Sequence, residues 1–337
     1  MSEPYDMRMI RLTMLLALSL MSLAPAARAE TALRKVRVAE VVHMLFYTPL
    51  YIAISRGFFR DEGLDVELVP ALGSDKSMAA LLSGSTEIAL AGPETAVYIQ
   101  SGQSPLKTKI ISGLTATDGS FLMGPASAGP FDWASLKGKK VMSWREGSSP
   151  ALFLEEILRK HGIDPVKDVT LISNISVPAR MGAFMSGAAE YGTFFEPDVS
   201  RLIAEKRAEP LVNVGSALAM IDYTVLIATD ETIAKDPAMI QHFVNALAKA
   251  MAWVAAADPK MAAADLAPVF PGIPPEALVS SFVRQRDAHL WKATPLVEPE
   301  AIEALQQLLF AGGILKPEQK VSYASVVAPQ FAKAAVP

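Results

Sequence analysis

The chain has 337 residues, 51% of them hydrophobic and 20% charged, and a formal net charge of −4. That is enough apolar material for a sizeable core and about two domains, and the mildly acidic balance argues against nucleic acid as a partner. The absence of Cys excludes disulfides, thiol catalysis, thiolate metal sites and a lipid-modified N-terminal cysteine.

The first 29 residues read as a secretory leader. Arg8 and Arg11 give a positive start, residues 12–23 are an uncharged apolar run, and Ala27-Arg28-Ala29 after Pro25 is a small-x-small cleavage pattern. The run is short of the roughly 20 residues that a membrane span needs. The expectation is an exported chain beginning at Glu30, free in the periplasm and monomeric. Beyond it, residues 36–41 are a strand candidate. Thr48 offers an N-cap hydroxyl and Pro49 sits at the first helical position. Residues 65–69 are the next strand. Ser74 or Asp75 caps a helix that Gly84 stops, followed by strands at 88–91 and 109–114. After a Gly/Pro-rich break at 124–130 the pattern restarts with a strand at 140–143. Ser149-Pro150 repeats the cap-plus-Pro start of a helix that Gly162 ends. Strands follow at 169–172, 191–194 and 210–214, and a β-rich run at 224–229 leads back to the first lobe. The last third is helical, with Ile240, Phe243, Val244, Leu247, Met251 and Val254 along one face. It is expected to pack on the outside of the first lobe and the hinge.

This β-α-β rhythm predicts an α/β protein of two lobes, each a doubly wound, mostly parallel sheet, with the ligand cleft between them. The expected first lobe is 30–122 plus 223–337, and the second is 123–222. An internal echo supports the pairing. The ten residues from Met78 to Glu87 are matched, 103 positions later, by those from Met181 to Glu190, and each segment leads through an apolar run into an acidic Pro turn.

Signatures of chemistry are missing. His43, His161, His242 and His289 stand outside metal-ligand spacing of one another, so no metal or other cofactor is expected. There is no phosphate-binding loop, dinucleotide fingerprint or nucleophile elbow. Gly147-Ser148-Ser149 has the simpler role of capping the helix that begins at Pro150. In a doubly wound sheet, however, helix N-termini and turns gather at the carboxyl ends of the strands and offer polar contacts to a solute. The turns there supply the aromatic groups Phe46, Tyr47, Phe195 and Tyr223, the carboxylates Glu94, Asp118, Glu146 and Glu196, the hydroxyls Ser74, Thr95, Ser148 and Ser149, and His43 after the first strand. These are the candidate ligand contacts. Arg145 is the one cation in the turns considered. Aromatic walls with carboxylates suit a heteroaromatic or amine-bearing solute.

From Val36 onward the chain resembles the substrate-binding proteins of nitrate, sulfonate and taurine importers, a superfamily that includes binders of thiamine pyrimidine precursors. The resemblance rests on Pro49-Leu-Tyr-Ile-Ala, Arg56-Gly-Phe-Phe-Arg-Asp-Glu-Gly-Leu-Asp-Val-Glu-Leu68, Ala80-Leu-Leu-Ser-Gly-Ser-Thr-Glu-Ile-Ala-Leu-Ala-Gly-Pro-Glu94, Leu136-Lys-Gly-Lys-Lys-Val141, Phe194-Phe-Glu-Pro197 and Tyr223-Thr-Val-Leu-Ile-Ala-Thr-Asp230. It implies a type II-like periplasmic-binding-protein fold with two crossovers and hinge closure on a solute. It also implies delivery to an ABC permease served by an ATPase, with no catalysis. A sulfonate, taurine or nitrate binder of the same superfamily, an enzyme acting on a small heterocycle, and a sensor subunit remain the alternatives.

Overall fold

The computed structural model describes residues 32–102, 104–126, 129–218 and 221–335; the expected leader lies outside the described residues. Two five-stranded sheets form the frame. The first is ordered β2-β1-β3-β10-β4, from β1 (Arg34–Glu40), β2 (Leu64–Pro70), β3 (Ile88–Ala91), β4 (Thr108–Thr115) and β10 (Thr224–Thr229). The second is ordered β7-β6-β8-β5-β9, from β5 (Phe121–Gly124), β6 (Lys140–Met142), β7 (Thr170–Ile172), β8 (Tyr191–Phe194) and β9 (Glu209–Asn213). β1 pairs in parallel with β2 and β3, and β6 with β7 and β8. β10 runs antiparallel to both of its neighbours, and so does β5. Each sheet is therefore mixed, with one reversed strand set among four that point the same way.

The two sheets repeat one another residue by residue. Gly84 and Gly187 both end a helix in the left-handed conformation, with φ of 73° and 85°, where a Cβ would be strained. Three residues later, the Glu87 carboxylate accepts the Arg37 backbone N–H at 2.8 Å, and the Glu190 carboxylate accepts that of Lys140 at 3.0 Å. Both pairs are separated by the same 103 positions as the sequence echo. The acid in each copy satisfies a strand-edge donor that the ladder leaves over.

The strands are buried where the residue types demand it. All four residues of β3 and all six of β10 are buried, as expected for the centre of a sheet covered on both faces. The helices that concern the cleft are α1 (Thr48–Ser55), α2 (Ser74–Leu82), α3 (Glu94–Ser101), α4 (Ser149–Lys160), α5 (Arg180–Met185) and α6 (Asp198–Ala204). The tail adds α7 (Pro237–Ala256), α8 (Pro259–Leu266), α9 (Pro275–Asp287) and α10 (Pro299–Ala311). The apolar face read from the sequence of α7 is buried in full, and α7 packs against α1. The tail is not confined to the first lobe: α9 also packs on α6 and α10 on α4, so it covers the back of both. Among the described residues no helix is long and apolar enough to cross a membrane.

The chain crosses between the sheets twice, from β4 to β5 and from β9 to β10, and the two crossovers touch. The Val214 N–H donates to the Ser120 carbonyl at 2.9 Å and the Thr117 hydroxyl to that of Gly215 at 3.2 Å. A third segment joins them from the tail, where Ala116 N–H donates to Leu290 O at 2.7 Å and Gly113 N–H to Pro295 O at 2.8 Å. Phe121 and Leu122 already pair within the second sheet, which puts the first crossover ahead of residue 121.

At Gly215 the two crossover backbones meet so closely that a Cβ would overlap the Asp118 carbonyl oxygen and the Thr117 side chain. Gly215→Ala is expected to cost about 1–3 kcal/mol through overpacking. Urea unfolding checks this; an unchanged midpoint would contradict the close approach.

Candidate functional site

The segments that leave the carboxyl ends of the parallel strands converge on one cavity of about 660 Å³, within the usual range for a small-molecule site. The segment after β1 contributes Val41, Val42, Phe46 and Tyr47. After β3 come Gly92, Glu94 and Thr95. The second sheet answers with Trp144 to Pro150 after β6, Ser173 to Val177 after β7, and Phe195 after β8. Tyr223 joins from the start of β10. An open α/β sheet places a ligand at this edge because the helix N-termini and their unused N–H groups point there.

Aromatic side chains from both lobes meet in the wall. Phe46 of the first stacks on Phe195 of the second with centroids 4.6 Å apart and planes 28° apart. Phe195 continues to Trp144 at 5.1 Å and to Tyr223 at 6.1 Å. These are ordinary aromatic contact distances, and they leave a mostly apolar surface.

The polar contacts across the cleft centre on Glu94 and Ser149. Glu94, at the first position of α3, is 1% exposed. Its carboxylate accepts a short hydrogen bond from the Ser149 hydroxyl and a longer one, 3.4 Å, from the Ser149 backbone N–H. Ser149 opens α4, whose local cap position, Ser148, makes no capping bond. The N-terminus of α4 is thus satisfied by a carboxylate from the opposite lobe, where negative charge meets the positive end of the helix. Burial raises the Glu94 carboxyl above its ordinary range, opposed by the Ser149 bonds. The Tyr98 hydroxyl adds a bond to Gly147 O at 3.0 Å. Arg145 pairs with Asp75 at the exposed rim, where an ion pair contributes only about 0–1 kcal/mol.

Of the residues singled out from the sequence, Phe46, Tyr47, Ser74, Glu94, Thr95, Glu146, Ser148, Ser149, Phe195 and Tyr223 line this cavity. His43, Asp118 and Glu196 do not. His43 turns to the tail: Nδ1 bonds Glu40 at 3.2 Å, Nε2 bonds Val269 O at 2.9 Å, and the ring packs on Phe270. Its hydrogen bond to buried Glu40 raises its pKa against partial burial. Glu196 is buried against α9, accepting from Arg284 Nε at 2.8 Å and from Ser200 N–H at 3.0 Å. Asp118 is sealed in the first crossover, where it accepts the Ser120 N–H at 2.6 Å. Two local readings also change. The Thr48 hydroxyl bonds back to Leu45 O instead of capping α1, and Ser149 reaches across the cleft instead of capping its own helix.

Trp144 and Arg180 escaped the sequence reading. Arg180 is 3% exposed at the start of α5, and its guanidinium lies 3.9 Å over the Trp144 ring. Its two terminal nitrogens donate to Ser143 O and Thr193 O. Burial lowers its pKa to about 10, so it stays charged at neutral pH. Among the described residues no group of three or more His, Asp or Glu could hold a metal ion.

Residues 46–262 match the family model described as NMT1/THI5 like. The Bacillus subtilis (strain 168) protein YtlA, named as a binding protein, is 36% identical over 296 residues, covering 88% of this chain and 89% of its own. The periplasmic nitrate-binding protein NrtA from Synechocystis PCC 6803 superposes with a TM-score of 0.77 at 15% identity, over 90% of this chain and 88% of its own. The alkanesulfonate-binding protein SsuA from Xanthomonas axonopodis pv. citri, bound to MOPS, gives 0.70 at 21%, over 88% and 99%. These two likenesses establish the periplasmic-binding-protein fold.

Asp118 yields a pH signature. Burial pushes its carboxyl up to about 7, so the folded chain keeps a proton that the unfolded chain releases near pH 4. Stability from this group is present at low pH and is lost as pH rises through 7. Asp118→Asn should remove that decline while keeping the Ser120 bond. Urea midpoints at pH 4.5 and 7.5 test it; parallel profiles for the two proteins would contradict it.

Proposed function

The chain belongs to the NMT1/THI5-like family, and on that premise we propose that it is the solute-binding component of an ABC-type importer. It works in the periplasm, captures a small solute with a flat, heteroaromatic ring by closure of its two lobes, and presents the closed form to a membrane permease and its ATPase. The observation that carries this reading is the cavity itself, walled by Phe46, Tyr47, Trp144, Phe195 and Tyr223 drawn from both lobes. A ring laid along this wall exchanges water for aromatic contact. Because the walls come from different lobes, a bound ring favours the closed arrangement by its differential affinity for it.

The fold alone does not separate a binder from an enzyme. What supports binding is that the most buried carboxylate in the cavity, Glu94, spends its oxygens on Ser149. A general base would need to reach a substrate proton at hydrogen-bond distance. The amine-bearing solute weighed from the sequence loses its natural acceptor for the same reason.

Thermal unfolding of the purified protein against a panel of nutrients should reveal one chemical class that stabilises saturably. The expected gain is about 2.7 kcal/mol at a hundredfold excess over Kd, with the solute recovered unchanged after long incubation. Steady conversion of the stabilising compound to product would overturn the receptor reading in favour of an enzyme.

A further inference from the structure

Arg180 is a buried cation without a counter-ion. Among the described residues it takes part in no ion pair within 4 Å, and its Nε has no hydrogen-bond partner. The nearest acid acts only from a distance: Asp198, at the start of α6, is half-buried and makes no ion pair with it. Beside it, the indole Nε1 of Trp144 is also buried and unpartnered. Both side chains line the cavity, and the guanidinium stacks directly on the indole.

Leaving a charged donor buried and unpaired is costly, and buried charges are normally paired. A structural role accounts for part of the side chain, because two of its nitrogens tie the ends of β6 and β8 through Ser143 O and Thr193 O. It does not account for the remaining Nε donor, for the Trp144 donor next to it, or for the uncompensated charge. With the terminal nitrogens of Arg180 already spent, the two orphan N–H groups and the unpaired positive charge beside them call for an anion with more than one acceptor oxygen, as a carboxylate has. The adjoining aromatic wall of Trp144, Phe195 and Phe46 takes the ring that carries it.

We infer that Arg180, with Trp144, is the anion-recognition corner of the cavity, and that the solute is an aromatic carboxylate whose ring lies along the aromatic wall. This rests on the solute-receptor reading and names the chemistry of its ligand. Arg180 is then the residue that sets specificity, and a neutral solute of the same shape is rejected because it leaves the guanidinium buried and unanswered.

The test uses matched probes on the purified protein: benzoate, nicotinate and orotate against benzamide, nicotinamide and uracil, with benzenesulfonate as a further arm, all read by thermal shift and titration calorimetry. At least one carboxylate should bind saturably while its neutral partner binds on the order of a hundredfold more weakly, the range seen when one member of a buried charge pair is lost. Arg180→Gln should weaken the carboxylate by a similar factor, whereas Arg201→Gln, at an exposed site in the same lobe, should leave it unchanged. The wild-type comparison decides the matter even if Arg180→Gln fails to fold. Neutral rings binding as tightly as carboxylates would overturn the anion corner while leaving the receptor reading intact. Binding of the sulfonate without any carboxylate, or of no ring compound at all, would overturn the carboxylate assignment; the receptor reading is judged separately on the wider nutrient panel.

Discussion

The site is organised around one contact, the buried Glu94 carboxylate of the first lobe meeting the hydroxyl and N–H of Ser149 in the second. A helix beginning with Ser-Pro would ordinarily cap itself. Here the first turn of α4 is completed only when the other lobe is in place, so a local requirement of helix physics becomes a preference for lobe closure. Both partners are cut off from water, so the bond gains strength from the low local dielectric and its loss would leave a polar group stranded. The stack of Phe46 on Phe195 and the bond from Tyr98 to Gly147 O act in the same direction. Separation of the two lobes would break all of them together.

The opposite side of the cleft is held against this. The two crossovers are hydrogen-bonded to one another and to the segment at 290–295, and the tail helices rest on both lobes. Buried Asp118 and the close approach at Gly215 lie in that junction. Hinge and latch thus stand at different places in the molecule. A receptor needs that separation, because a ligand can shift the equilibrium only through contacts made in one state and not in the other.

Much of the fold was legible in the sequence. The β-α-β rhythm, the glycine helix stops and the 103-residue echo all correspond to physical units, down to Glu87 and Glu190 satisfying equivalent strand donors. The turns that form the cavity were legible too, since the carboxyl edge of a parallel sheet follows from strand order. Partners distant in sequence were not. Ser149 looked like a cap because sequence distance hides Glu94. His43 and Glu196 sat in the right turns, but their side chains are claimed by Val269 and Arg284 from the tail. Arg180 was hidden because nothing in its neighbourhood in sequence marks it as buried.

The central claim is that the lobes close through the Glu94–Ser149 contact. The chain has no Cys, so spin labels can be placed solely at Lys76→Cys on α2 and Lys160→Cys on α4, both exposed and in different lobes. Pulsed electron–electron distance measurements on the solute-free protein should then give one short distance with Ser149 in place, and a longer, broader distribution once Ser149→Ala removes the latch. The same single distance in both samples would contradict the account.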